Sequence, residues 1–318
     1  MFSRMRRGSR FPIYLVVTAW ALFVHAGAPS RAASQAPAVP PRLVAIGDLH
    51  ADLANARLAF RMAGGIDERD AWIGGPLVIV QMGDLIGRGK EDRPVLDFVL
   101  EIQAKAKAAG GAVHVLIGNH EIFAARPDHR WVDPDAFEDF RALPDLPLTH
   151  PRLSGLPAAE RPRAAAFMPG GIYARRLAAF PAVLRLGDTV FTHGGVLPLW
   201  ARYGIDRINA DVREWLAGRT DEPAATRGLD DGSLDDGVMW SRHFAAAPES
   251  MACALLKESL SILGAKRMVV AHTVQKSITS RCGAQVWAID VGISRYYGGE
   301  LQVLEILGDT QGRVIPRG

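Results

Sequence analysis

From Arg42 onward, short apolar runs alternate with amphipathic stretches, the pattern of a layered α/β fold. Leu43–Ile46 is a continuous apolar run and reads as a buried strand, and Leu53–Met62 carries helical spacing. Leu77–Met82 predicts a second strand. A helix follows over Pro94–Ala108, with Pro94 in its first turn and Gly110-Gly111 as its stop. Ala112–Ile117 predicts a third strand. Residues 124–170 are rich in Pro, Ala and Arg and keep no period. They read as a loop-rich insertion with short helices, a rim or lid over a site.

The second half is patterned differently. Ala182–Leu186 and Thr189–Thr192 flank Gly187-Asp188, a hairpin turn signal. Leu199–Leu216 reads as one helix, Thr220–Gly237 is acidic and Gly-rich, and Ser250–Leu263 reads as another helix. Arg267–Ala271, Gln285–Asp290 and Glu300–Leu307 complete the strands. Fewer helices intervene here, which predicts a second sheet with more antiparallel pairing.

The chain has 318 residues, 48% hydrophobic and 22% charged. That composition is globular and excludes a mainly disordered, collagen-like or coiled-coil protein. The formal net charge of +3 is confined to one end. Residues 1–33 hold Arg4, Arg6, Arg7, Arg10 and Arg31 with no Lys, Asp or Glu, so the remainder is mildly acidic. No nucleic-acid partner is expected from that balance.

The basic start precedes an apolar run, Phe11–Ala28, interrupted by Pro12, Thr18, His25 and Gly27. Small residues around Val24-His25-Ala26 and Ser30-Arg31-Ala32 then offer cleavage sites. This order is that of a secretory signal, and Arg6-Arg7 reads as ordinary charge ahead of the apolar core. The expected mature chain begins between Gly27 and Ser34 and is periplasmic or secreted. The alternative is a retained anchor through residues 11–28, facing the periplasm. Residues 34–41, with Pro37, Pro40 and Pro41, read as a lead-in to a catalytic domain over 42–318. Export permits Cys253 and Cys282 to bridge; the competing reading is that Cys253 is a small buried hydrophobe.

The chemistry sits at strand ends. The first strand ends in Gly47-Asp48-Leu49-His50, the second in Gly83-Asp84-Leu85-Ile86-Gly87-Arg88-Gly89 and the third in Gly118-Asn119-His120-Glu121. Thr192-His193-Gly194-Gly195 and Ala271-His272-Thr273 end two more. Ligands of α/β sheets gather at carboxyl strand ends, so five such loops in order point to one crevice. Asp48, His50, Asp84, Asn119, His193 and His272 offer oxygen and nitrogen donors without thiolate. That set suits Mn, Fe or Zn rather than calcium or a structural zinc. Two such ions form a clamp for in-line attack on phosphorus, and Arg88 can fork two phosphate oxygens. His114, His129, His150 and His243 lie in a strand or in polar loops and read as structural or exposed. No phosphate-binding P-loop, dinucleotide fingerprint or serine-nucleophile elbow is present.

These blocks resemble those of the calcineurin-like metallophosphoesterases, and more narrowly the phosphoprotein phosphatase group. Met239-Trp240-Ser241-Arg242, Ile289-Asp290-Val291-Gly292-Ile293-Ser294 and Tyr296-Tyr297 are similar to stretches of the bacterial Shewanella-like protein phosphatases. The resemblance runs over about residues 42–307. It implies two packed mixed β-sheets flanked by helices, with a dinuclear centre at one edge. It further implies that Asp48 and His50 hold the first ion, Asp84 bridges, and Asn119, His193 and His272 complete the second. A metal-bridging hydroxide attacks while His120 protonates the leaving oxygen, and Arg88 and Arg242 bind phosphate.

Three positions depart from the group's motifs. Ala51 and Ala271 replace glycines, which matters only where the backbone needs positive φ. Gly87 stands where the group has an Asp that orients the catalytic His. The expectation is that another carboxylate substitutes or that His120 works unpaired, and that Gly87→Asp restores the pairing. The functional expectation is a metal-dependent phosphomonoesterase acting on a phosphorylated protein or a small phosphate ester. The alternatives are a phosphodiesterase or nucleotidase of the same superfamily, and a non-catalytic metal-stabilised binding module. The absence of a second His two residues after His272 favours the monoesterase.

Overall fold

The structure, a computed structural model, describes residues 42–228, 231–307 and 311–317. The expected signal or anchor (1–33) and the lead-in (34–41) lie outside the described residues. Among the described residues, no helix is long and apolar enough to cross a membrane.

The strands are β1 (Leu43–Ile46), β2 (Val78–Gln81), β3 (Ala112–Val115), β4 (Val183–Leu186), β5 (Thr189–Thr192), β6 (Arg267–Val270), β7 (Thr279–Arg281), β8 (Val286–Ala288), β9 (Gln302–Leu307) and β10 (Gln311–Pro316). The helices are α1 (Leu53–Met62), α2 (Asp92–Ala108), α3 (Asn119–Ala125), α4 (Arg161–Phe167), α5 (Ile172–Leu177), α6 (Pro198–Tyr203), α7 (Ile205–Leu216), α8 (His243–Ala246) and α9 (Glu249–Leu263). One sheet has the order β10-β9-β1-β2-β3 and the other β4-β5-β6-β8-β7. Their apolar faces meet in one core that includes Val44, Ile79 and Val303 from the first sheet and Phe191, Met268 and Val286 from the second.

The first half follows its pattern closely. β1, β2 and β3 pair in parallel, and every residue of β1 is buried, as a strand covered on both faces requires. α2 starts two residues before Pro94, which remains in the first turn. The 124–170 insertion holds two 3₁₀ turns (134–140 and 151–153) and α4.

The second half needs two corrections. The expected helix over Leu199–Leu216 is two helices, because Gly204 takes φ +97° and breaks the hydrogen-bond ladder between α6 and α7. The second sheet is not richer in antiparallel pairs. β4 and β7 pair antiparallel at its edges, but β5, β6 and β8 are parallel. The remaining antiparallel strands, β9 and β10, join the first sheet beside β1. Cys253 and Cys282 form a disulfide, with Cα atoms 5.3 Å apart, tying α9 to the β7–β8 turn. Cys253 is half-buried rather than a core hydrophobe.

Candidate metal centre and active site

The five strand-end loops converge. The peptide carbonyl of Asp84 accepts from the N–H of Leu49 (3.0 Å) and His50 (2.9 Å), joining the first loop to the second. The His120 N–H donates to Asp84 Oδ1 (2.9 Å), joining the third. The Ala271 N–H donates to the His193 carbonyl (2.8 Å), joining the last two. Three of the side chains sit on left-handed backbone: His50 (φ 45°), Asp84 (φ 53°) and His272 (φ 63°). Such backbone costs on the order of 1 kcal/mol per residue and collects at functional sites. Ala51 shares it at φ 53°, so the glycine it replaces in the related motif did serve the backbone there; Ala271 does not.

All six expected ligands are buried and close together. Asp84 is central: its Oδ2 lies 3.7 Å from His50 Nε2 and 3.4 Å from His193 Nε2. Asp48 reaches both histidines at 3.8 Å. Asn119 Oδ1 lies 3.0 Å from His193 Nε2 and 3.0 Å from His272 Nδ1. His193 Nδ1 faces the Met82 carbonyl at 2.9 Å, which assigns the proton to Nδ1 and frees Nε2 as a ligand.

The residues fit divalent cations on an electrostatic test. Asp48 Oδ1, His50 Nδ1 and Asp290 Oδ2 are buried with no hydrogen-bond partner among the described residues. Burial, with the charges of Asp290 and Asp84 added, pushes the Asp48 carboxyl well above its ordinary value. Burial also works to raise Asp84, yet His193, His120 and His50 outweigh it and hold Asp84 well below the usual range. Clustered carboxylates and imidazoles without water need positive charge in their midst. Cysteine takes no part, so the donors are oxygen and nitrogen throughout.

His120 lies at the centre's edge, with Nε2 4.0 Å from Asp84 Oδ2, and burial drives its pKa well below the ordinary value. Among the described residues no carboxylate hydrogen-bonds to the His120 ring; Asp84, at 4.0 Å, is too distant to be the substitute partner. Gly87 takes φ 78°, and a Cβ built on it would overlap His120 at Nδ1. The space where an Asp side chain would begin is filled by the ring, so the expectation that Gly87→Asp restores a pairing is not supported. Instead, the Gly87 N–H donates to Asp92 Oδ1 (2.7 Å), and buried Arg163 of α4 binds Asp92 Oδ2 through Nε (2.7 Å) and Nη2 (2.7 Å).

Arg88 stands at the mouth, its guanidinium 3.7 Å from the Trp131 ring centroid and 5.2 Å from that of Tyr296. Arg242 Nη1 donates to the His272 carbonyl (3.2 Å), which sets this arginine beside the histidine end of the cluster. Among the described residues His114, His129, His150 and His243 join no cluster of potential ligands. A pocket of about 270 Å³ opens beside His50 and Arg88.

Two residues have roles that the motif reading did not assign. Asp290, just past β8, places its carboxylate beside Asp48; its position at a strand end was the available signal. Glu121 accepts from the N–H groups of Gly118 (2.8 Å), Asp84 (2.9 Å) and Leu85 (2.9 Å) and so clamps two loops. Its spacing three residues after Gly118 is that of a capping glutamate.

The Calcineurin-like phosphoesterase family profile matches residues 41–276. Shewanella-like protein phosphatase 2 of Arabidopsis thaliana is 36% identical over 312 residues, covering 87% of this chain and 78% of the relative. Shewanella-like protein phosphatase 1 of Plasmodium berghei (strain Anka) is 29% identical over 260 residues, covering 80% and 68%. The fold matches the crystal structure of the cold-active protein-tyrosine phosphatase of a psychrophile Shewanella sp. with a TM-score of 0.65 at 22% identity, covering 88% of this chain and 81% of that one. With that fold, that profile and a buried donor set suited to two divalent ions, the chain belongs to the Shewanella-like protein phosphatases of the calcineurin-like phosphoesterase family and is a metal-dependent phosphatase.

Proposed function

We propose that the protein removes phosphate from phosphorylated protein side chains, with phosphotyrosine as the favoured ester and manganese as the working metal. One observation carries the choice of ester: the phosphate-binding candidate Arg88 is walled by Trp131, Tyr296 and Tyr297, and Tyr296 is 55% exposed beside it. Aromatic walls next to the phosphate site favour an aryl group through stacking and apolar contact. The protein substrate follows the name of the Arabidopsis relative.

In this reading Asp48 and His50 would hold one ion, Asn119, His193 and His272 the other, and Asp84 would be a ligand to both. The ions, when bound, supply Lewis-acid polarisation of the phosphoryl group and lower the pKa of the attacking water. Arg88 forks the phosphoryl oxygens, and Arg242 approaches from the His272 side. His120 delivers the proton to the leaving oxygen. Activity is tested with phosphopeptides of one sequence carrying phosphotyrosine or phosphoserine, in manganese. The expected result is a higher kcat/KM for phosphotyrosine. Release from a phosphodiester but from no monoester would replace this reading with the diesterase one.

We also place the mature protein outside the cytoplasm, in the periplasm or secreted. The basic and apolar start supports it, as does the disulfide, which forms readily in oxidising compartments. N-terminal sequencing of protein from its native envelope should find a start between Gly27 and Ser34. Recovery of Met1 in a membrane fraction would favour the anchor.

A further inference from the structure

The loop-rich insertion is fastened to the loop that carries Arg88. The Arg88 N–H donates to the Trp131 carbonyl (2.7 Å), and the Trp131 ring lies 3.7 Å from the guanidinium carbon. Lys90 Nζ pairs with Asp135 Oδ2 (2.5 Å) in the following 3₁₀ turn. Arg88 itself holds φ 70°, a strained conformation for a non-glycine residue, maintained here by these attachments.

We infer that Trp131 is a positioning residue for Arg88, holding its guanidinium in the orientation that receives the phosphoryl group. The inference rests on Arg88 binding phosphate, as proposed above. A free arginine side chain samples many rotamers, and that freedom must be lost before its planar fork can meet two oxygens. A ring face against one side of the guanidinium removes much of that freedom beforehand, and a cation on an aromatic face gains about 0.5–2 kcal/mol. The other partners leave the fork available. Nη1 donates to the Tyr296 hydroxyl (3.3 Å) in an exposed contact that an anion can replace, while Nε is buried and without a partner among the described residues. Trp131 Nε1 likewise has no partner among the described residues, so the ring acts through its face rather than through its N–H.

The test measures the Kd of inorganic phosphate by calorimetry on the metal-loaded protein, with metal content and Tm recorded for each variant. Trp131→Leu should weaken phosphate binding about 3- to 30-fold, the equivalent of the cation–aromatic gain. Trp131→Phe keeps a ring face and should stay within about 2-fold of the parent, on the same grounds. The Arg88→Met/Trp131→Leu double variant should bind no more weakly than Arg88→Met alone, because the tryptophan acts through the arginine. Additive losses would overturn the inference. So would parental phosphate affinity in Trp131→Leu, with or without a lower Tm, when Arg88→Met is impaired. Parental affinity in Arg88→Met would instead remove the phosphate-binding reading of Arg88, and this inference with it.

Discussion

The Gly87 backbone is pressed against the His120 ring so closely that a Cβ at residue 87 would clash with Nδ1. The ring is held by contact with main chain rather than by a carboxylate from this loop. Gly87→Asp should therefore impair the enzyme. Overpacking of this kind costs about 1–3 kcal/mol of stability. Displacement of the ring should lower kcat about 10- to 100-fold, as disturbed support of a metal-site group commonly does. Gly87→Ala should show the same trend. Profiles of kcat against pH for the three proteins decide it, since a raised plateau in Gly87→Asp would mean that the ring can swing aside to accept the carboxylate.

Behind Gly87 stands the Asp92–Arg163 pair, both residues buried. Removing one member leaves the other charge uncompensated, so Arg163→Met should destabilise the protein by about 3–5 kcal/mol. The Asp92→Leu/Arg163→Met double variant should recover much of that stability. It should still turn over slowly, because the Gly87 N–H loses its acceptor. Denaturant midpoints and kcat separate the two effects. Recovery of both together would reduce the pair to a packing feature.

Metal removal should reveal the strain of the centre. Without metal, burial raises Asp48 and Asp290, and burial plus the Asp84 charge raises Glu121 to about 7. For these acids the folded protein binds more protons than the unfolded chain between the ordinary carboxylate value and the raised one. Through these acids metal-free stability falls as pH rises across that window; burial-lowered His50, His120 and His272 act in the opposite sense up to the ordinary imidazole value, and Asp84 does so at lower pH. Ions that bind the deprotonated forms reverse the loss. The Tm difference between metal-loaded and chelator-treated protein should widen from pH 5 to pH 8. A constant difference would contradict the placement of the ions among these carboxylates.

The chain order of the site could be read from sequence because buried parallel strands appear as unbroken apolar runs, and β1 and β6 deliver Asp48 and His272 directly after such runs. The edge strands β7 and β10 give no such signal. β7 is Thr-Ser-Arg and is largely exposed, and β10 mixes Gly and Arg with apolar residues, so their pairing partners alone define them. The meaning of Gly87 also escaped the sequence, since its departure from the motif is visible but the ring filling its Cβ position belongs to another loop. Arg163 lies in an Ala-rich stretch with no sustained period, and only the folded position of α4 shows that it is buried and paired with Asp92.

The disulfide closes a 29-residue separation and anchors the β7–β8 turn to α9. Loop-closure entropy for that span amounts to about 3–4 kcal/mol, so Cys253→Ser/Cys282→Ser should lower the denaturant midpoint accordingly. Because the bridge lies in the half-exposed turn rather than among the ligands, metal content should stay at the parental level. Loss of metal on reduction would show that β7 and β8 transmit strain to His272 and Asp290.

The central proposal is that Asp84 would serve as a ligand to both divalent ions that support phosphate-ester hydrolysis. Asp84→Asn preserves the shape of the side chain and removes the charge that three histidines surround. The measurement is metal content per chain together with turnover of para-nitrophenyl phosphate in added manganese, on protein whose circular dichroism matches the parent. The expected result is a folded variant with fewer than two ions per chain and no detectable turnover. Two bound ions with parental turnover would contradict it.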